Sequence, residues 1–395
     1  MVKVITPITT KGKATSPVLS ASNWFIRSGI QDMEADSKFR GGVYAWHDLR
    51  NGSYPFIYSE ITGYAINAFL FFHRITGNPI YLERARLAGD WLAGARDKKY
   101  GLIPTRLSRA GDDNAYYDCR AFTFDQWIVV CGLCSLFTVT ENRVYLKCAE
   151  EIAAALLGQT LQKDGFMYPT FNLKSGRPEA TNDKWSRQPG AFHAKAALGL
   201  GQLYHLTHNE RYFSCALKLA ERALMDQKED GRFITQTSDQ STHLHPHLYA
   251  LEGILYLGTA QNDKKLIDVC KKGLTWILNS ALEDGTIYCF FKNQHFVPYE
   301  RADVLAQTLR LATIMGERVS HFQRFRLKLD RIREKLLLYQ VSSGPQEGGF
   351  FYGQEENGTI HFHLNAWVTM FAAQALWLYD HSQVNDSKYD FSFFV

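Results

Sequence analysis

Net charge is almost missing from this chain of 395 residues: 44 Lys and Arg stand against 40 Asp and Glu, a formal excess of +4, and the basic residues are scattered. Nucleic-acid binding needs a concentrated basic face and is not expected. The densest basic stretch, Arg318 to Lys335, spaces its charges around Phe322, Phe325, Leu329 and Ile332, the pattern of a solvated amphipathic helix. Long hydrophobic runs are missing as well. No segment reaches about 18 uninterrupted apolar residues, and the stretch from Met1 to Ser16 is polar. Neither a membrane span nor a leader is expected, and the chain reads as cytoplasmic. Cysteine is sparse and odd in number, at 7. Cys131 and Cys134 stand two residues apart, but Val130, Leu133 and Leu136 flank them, so they read as reduced core thiols. A Gly-rich phosphate loop, a Ser nucleophile elbow and an HExxH pair are all lacking, so no cofactor and no metal are expected. Gly199-Leu200-Gly201 lies inside an apolar stretch and reads as a close-packing site.

Aromatic residues are abundant instead, at 14% of the chain: 8 Trp, 20 Tyr and 26 Phe, more than the packing of a core this size demands. Surplus rings often line a binding cleft. The chain also repeats itself. A turn followed by an aromatic helix start reads Thr76-Gly77-Asn78 with Tyr81-Leu82, Thr140-Glu141-Asn142 with Tyr145-Leu146, Thr207-His208-Asn209 with Tyr212-Phe213 and, more weakly, Ala260-Gln261-Asn262 with Leu266-Ile267. A second phrase, Gly before short β-favouring residues, starts at Gly42, Gly101, Gly165, Gly231, Gly285 and Gly349.

Two kinds of helix alternate between these phrases. Nearly apolar helices are expected over 61–75, 126–138, 192–206, 247–258, 304–315 and 365–379, and amphipathic ones over 81–95, 144–159, 211–227, 264–279 and 322–339. The apolar set reads as buried and the amphipathic set as its cover. Leu19 to Met33 supplies the sixth cover by packing beside the last helix, which is too apolar for an open solenoid end. The expected architecture is all-α, an (α/α)6 barrel of six helical hairpins with short β connectors at one rim. It spans 16–380, between an N-terminal segment 1–15 and a tail 381–395.

In such a barrel all six connectors meet where the inner helices point their N-termini. Eight of the 13 His fall on these connectors, together with many rings, carboxylates and Arg. Aromatic planes can stack on the apolar faces of a pyranose while polar groups take its hydroxyls, so a saccharide is the expected partner. The aromatic and polar connector residues singled out for substrate are Trp46, Tyr58, Tyr64, Arg120, Trp185 and Gln188 in the first three units. In the last three they are His243, His247, Tyr299, Arg301, His363 and Trp367, and His193 joins them from the third inner helix.

With this architecture and phrasing, from about Ser16 to Tyr379, the chain resembles the six-hairpin glycosidase-like superfamily. That group includes glycoside hydrolases, polysaccharide lyases, unsaturated uronyl hydrolases and the N-acylglucosamine 2-epimerase group. The resemblance implies a carbohydrate-active enzyme. For a hydrolase, one carboxyl with a raised pKa protonates the leaving oxygen and a second activates water. Glu60, in the first turn of an apolar helix, is the expected acid, and Asp125 or Asp303, at equivalent places in the second and fifth units, is the expected base. An epimerase would instead use histidines such as His193, those of His243-His245-Pro246-His247, or His361 and His363. A lyase would use a Tyr or His beside a uronate. Arg120, Arg187 and Arg301 would suit a substrate carboxylate. A non-catalytic toroid would carry its aromatics on the outer helices rather than on the connectors.

Overall fold

The computed structural model describes residues 16–108, 115–162, 165–382 and 394. The N-terminal segment 1–15 and most of the tail lie outside the described residues. Twelve main helices are described: α1 Pro17–Arg27, α2 Ser59–Thr76, α3 Pro79–Gly94, α4 Thr123–Thr140, α5 Arg143–Gln159, α6 Ala197–Thr207, α7 Glu210–Leu224, α8 Leu244–Gln261, α9 Lys264–Ser280, α10 Ala302–Arg318, α11 Arg326–Leu337 and α12 Ala366–His381. The even-numbered helices form the inner ring and the odd-numbered ones the outer ring. Each inner helix packs on the next, and α12 returns to α2, so the ring is closed.

Local chemistry sets the ends of these helices. The turn phrase works as a stop and a start in one: Gly77, Glu141, His208 and Asn262 adopt left-handed backbone that ends an inner helix. Asn78, Asn142 and Asn209 then accept the first free amides of the outer helix that follows. Helix α1 closes the ring but is shorter than the periodicity suggests, ending at Arg27 because Ser28 caps it and Gly29 turns the chain with φ of +77°. Tyr81 donates to Ser22 at 2.8 Å, and Gln340 donates to the carbonyl of Pro17 at 2.8 Å, tying α1 to both of its flanks. The third inner and last outer helices begin as tighter turns, at Ala191–Ala196 and Ser320–Phe325.

The connectors pair edge to edge around the rim. Strands β1 Trp46–Asp48 and β11 His363–Asn365 join the first connector to the last, with Trp46 opposite Asn365. Strands β2 Phe56–Tyr58 and β3 Arg106–Ser108 join the first to the second, with Tyr58 opposite Arg106. Strand β4 Arg120–Phe122 pairs with β5 Thr170–Asn172, and β5 with β6 Arg177–Glu179. The fourth to sixth connectors share one sheet in the order β10 Gly353–Gln354, β9 His295–Arg301, β8 Tyr288–Lys292, β7 Thr242–His243. All of these ladders are antiparallel.

Helix α4 is long and apolar enough to cross a membrane by composition, yet 78% of it is buried among its neighbours, which accounts for apolarity on every face. It approaches α2 through paired glycines: a Cβ on Gly132 would lie 2.5 Å from the carbonyl oxygen of Gly63. The expected close packing at Gly199 is also observed, where a Cβ would lie 2.9 Å from the carbonyl of Trp127. Gly132→Ala therefore forces two inner helices apart and should cost about 1–3 kcal/mol. A urea midpoint equal to that of the parent protein would show that the contact yields freely.

Positions i, i+4 and i+7 of a helix share one face, and the inner helices use this triplet to line the barrel axis. The sets are Glu60, Tyr64 and Asn67 on α2; Phe124, Ile128 and Cys131 on α4; His245, Tyr249 and Glu252 on α8; Asp303, Gln307 and Arg310 on α10; and Trp367, Phe371 and Gln374 on α12. The first members lie at the connector rim. The last members meet deep inside, where Asn67 and Gln202 approach the thiol of Cys131 at 3.6 and 3.5 Å. Phe394 of the tail is buried at that depth. Its carbonyl accepts from Asn67 at 3.0 Å, and its ring lies 3.9 Å from the guanidinium of Arg310.

Candidate active site

A cavity of about 270 Å³ opens where the inner helices begin. Glu60 and Asp125 line it from the first turns of α2 and α4. Tyr58, Arg106 and Phe122 come from the connector strands, Trp185 and Lys184 from the third connector, His245 and Tyr249 from α8, and Arg301, Tyr352 and Trp367 from the far side. Rings on several sides with two carboxyls between them match the composition expected of a sugar site.

Both carboxyls hold their protons unusually well. Burial pushes Glu60 up to about 7, against the opposing effects of hydrogen bonds from Tyr58 and Tyr249 and of the charges on Lys195 and Arg106. The Tyr249 hydroxyl stands 3.5 Å from Glu60 Oε1. Asp125 is raised well above the ordinary carboxylate range, first by burial and then by the charge of Glu60, while a Thr105 hydrogen bond and Arg106 oppose the shift. Its Oδ2 is buried without a hydrogen-bond partner. Two such carboxyls do not both ionise readily, because the charge on one disfavours the charge on the other.

Asp303 is a different kind of group, and its expected role as a base is corrected here. It is fully buried, does not line the cavity, and is spent on neighbours. Arg301 grips both oxygens, and Trp367 Nε1 donates to Oδ2 at 3.0 Å. Burial alone would raise its pKa, but Arg301 and then His245 hold it below the ordinary value. It stays ionised as a clamp for Arg301, Trp367 and His245.

His245 is the histidine that reaches the cavity. Its Nδ1 lies 2.7 Å from Gln307 Oε1 and 3.3 Å from Asp303 Oδ2. Both are acceptors, so Nδ1 carries the proton and Nε2 keeps a lone pair. Gln307 is oriented in turn by donating its amide to Glu252 Oε1 at 3.2 Å. Burial pulls the ring down to about 4, so His245 is neutral at physiological pH.

Other residues singled out from the sequence lie elsewhere. His193 and His247 are buried behind the wall, each lowered to about 3 by desolvation. His193 lies tilted against Phe192, and His247 accepts the amide of Phe233 at 3.1 Å. His243 stacks on Phe290, and burial lowers it to about 4. His363 stacks on Tyr352 and contacts Trp46, whose own ring also meets Phe56. Tyr64 lies one helical turn below Glu60, buried. Arg120 is paired with Glu179 at 2.8 Å. Gln188 bridges the third and fourth connectors through Gln236 at 2.7 Å and Thr237 at 3.0 Å. Tyr299 lies 3.3 Å from His361 Nε2. Tyr58, Trp185, Arg301 and Trp367 do line the cavity. Among the described residues no group of three His, Cys, Asp or Glu side chains is placed to hold a metal ion.

The sequence reading missed Arg106, Lys184, Tyr249 and Tyr352. For Tyr249 the signal was present, since it stands at i+4 from His245 and so shares its helical face.

A profile of glycosyl hydrolase family 47 matches residues 123–254, about a third of the chain. A search of curated proteins finds no match. Among solved structures, cellobiose 2-epimerase from Bacillus thermoamylovorans B4167 superposes with a TM-score of 0.75 at 16% identity, covering 91% of this chain and 98% of that one. A D-mannose isomerase gives a TM-score of 0.71 at 11% identity, covering 92% of this chain and 96% of its own. An unsaturated glucuronyl hydrolase specific for heparin gives 0.67 at 14% identity, covering 94% and 97%. The fold that these structures share with the closed ring of hairpins described above is the (α/α)6 barrel.

Proposed function

We propose that the protein is a carbohydrate-active enzyme, and specifically a glycoside hydrolase in which Glu60 is the general acid and Asp125 the general base. The observation that carries this reading is that two proton-retaining carboxyls and a single histidine line the cavity. Glu60 keeps a proton near neutral pH for the leaving glycosidic oxygen. Asp125, once ionised, takes a proton from the water that attacks the anomeric carbon. Trp185 and Trp367 offer ring faces to the sugar, and Tyr249 and neutral His245 offer hydrogen bonds to its hydroxyls. The partial match to a glycosyl hydrolase profile agrees with this choice.

A second reading, sugar epimerisation, is favoured by the oriented Nε2 lone pair of His245, a base in the required tautomer. It would need a second proton carrier on the opposite face of the sugar, and the histidines His361 and His363 stand outside the cavity lining. The two readings part in deuterium oxide. A hydrolase generates new reducing ends and leaves every carbon-bound hydrogen in place, whereas an epimerase replaces the hydrogen it abstracts with deuterium from solvent and a lyase loses it, leaving a carbon–carbon double bond. Mass spectrometry of products from a panel of oligosaccharides should find hydrolysis without carbon-bound deuterium, and a one-dalton gain on carbon would overturn the hydrolase reading.

A further inference from the structure

Four cationic side chains gather at the cavity mouth, and two of them lack an anion. Arg187 pairs with Asp183 at 2.7 Å and donates to the Tyr117 hydroxyl at 2.9 Å, and Arg301 is clamped on Asp303. Arg106 and Lys184 both line the cavity, and neither forms an ion pair among the described residues.

Arg106 is held in an unusual way. Its guanidinium carbon lies 3.9 Å from the ring centre of Tyr117, 4.3 Å from that of Phe56 and 5.5 Å from that of Tyr58. Rings against its faces leave the edge of the planar fork for hydrogen bonding, and its Nε is buried without a partner. An unpaired buried donor is costly, and a guanidinium held flat is set to accept a carboxylate in its own plane at two points. Lys184 is exposed as a residue, but its ammonium sits in the crowded mouth. Desolvation there, and repulsion from Arg106, Arg187 and Arg301, lower its pKa against the attraction of Tyr117. Lys184, Arg106 and Arg187 draw the Tyr117 phenol below its ordinary range in spite of desolvation.

Counting charge gives the same direction. Arg301 and Asp303 cancel, burial favours the neutral forms of Glu60 and Asp125, and Arg106 with Lys184 carry two positive charges. A carboxylate on the ligand would offset part of that positive charge. The geometry points to a carboxylate-binding subsite formed by Arg106 and Lys184, which makes the substrate an acidic saccharide, a uronate whose ring carboxylate lies beside Glu60 and Asp125. This deepens the hydrolase reading of the same cavity and rests on it. Because Arg106 and Lys184 line the same cavity as Glu60 and Asp125, the carboxylate they take belongs to the sugar residue at the reacting bond.

Calorimetric titration of the Glu60→Gln protein separates affinity from turnover, since Gln mimics the protonated side chain. The probes are a 4-nitrophenyl glucuronide, its methyl ester, the matching glucoside and the glucoside 6-sulfate. The glucuronide should bind at least about tenfold more tightly than the glucoside, with an advantage that shrinks as salt rises. Arg106→Gln and Lys184→Gln should each remove most of that advantage while changing glucoside affinity by less than about twofold. Lys184 is exposed, so its variant decides the matter if Arg106→Gln fails to fold in a melting control. Equal affinity for glucuronide and glucoside, or no binding of the glucuronide, overturns the subsite, and a sulfate bound as tightly as the glucuronide replaces it with a general anion site. A charge preference that persists while turnover survives Glu60→Gln would keep the subsite and remove the hydrolase mechanism.

Discussion

Glu60→Gln is expected to lower kcat by about 10² to 10⁴-fold, the usual contribution of a positioned general acid, with little change in thermal unfolding. Gln has the shape of the protonated acid that burial already favours, so the fold loses little while the transferable proton is lost. The pH dependence carries the stronger test. The acid must be protonated, so in the parent protein kcat/KM should fall as pH rises through about 7. The stability sign agrees. A carboxyl whose pKa is raised on folding contributes stability that is complete below its unfolded value of about 4.3 and is lost as pH rises through the folded value. Stability therefore declines between about pH 4 and 7 and activity from about 7 upward, and Glu60→Gln should flatten both declines. Asp125→Asn should instead lower kcat at every pH, because the amide cannot take the proton of the attacking water. Since the two carboxyls are coupled, each limb belongs to the pair and will shift when either partner is changed. Full kcat in Glu60→Gln, or an unchanged alkaline limb, would reject Glu60 as the acid.

Much of the barrel was readable because its signals are local and repeated. Turn residues with left-handed backbone mark inner-helix ends, Asn caps mark outer-helix starts, and the alternation of apolar and amphipathic stretches assigns the two rings. Rim closure by β1 and β11 was not readable, because it pairs residues more than 300 positions apart through three-residue strands that carry no periodicity. The site was partly readable. Glu60, Asp125, Trp185 and Trp367 line the cavity as their connector positions suggest. The histidines were misjudged because phase matters more than position. In His243-Leu244-His245-Pro246-His247, the first ring is on a strand and stacks on Phe290, the second opens α8 and faces the axis, and the third is rotated about 200° from it toward Trp276 of α9. Asp303 was misjudged for another reason. A carboxylate at a helix start looks the same in sequence whether its oxygens are free or gripped by Arg301 and Trp367.

Glu252→Gln should be the most destabilising of the changes considered, at about 3–5 kcal/mol, the range for removing one partner from a buried ion network. Glu252 is fully buried on the barrel axis, its Oε2 2.6 Å from Lys195 Nζ and its Oε1 2.5 Å from Arg310 Nη2. Arg310 also donates to Gln374 at 2.6 Å, and the Lys195 ammonium sits 4.3 Å from the ring centre of Tyr249 and 4.7 Å from that of Tyr64. Neutralising Glu252 leaves two buried cations facing each other, and Lys195→Met in the same protein should recover part of the loss, seen as a partial return of the urea midpoint. The change also reaches the cavity. Gln307 keeps its carbonyl toward His245 because its amide nitrogen is taken by Glu252. A glutamine in place of Glu252 keeps one acceptor oxygen, for which Arg310, Lys195 and Gln307 compete, so the Gln307 amide that orients His245 Nδ1 is held less firmly. Lys195→Met alone should act on Glu60 in one direction: removing a positive charge that lowers the Glu60 pKa moves the alkaline limb of kcat/KM upward. A limb that stays near 7 in that variant would mean that the buried network supports the barrel without tuning the acid above it.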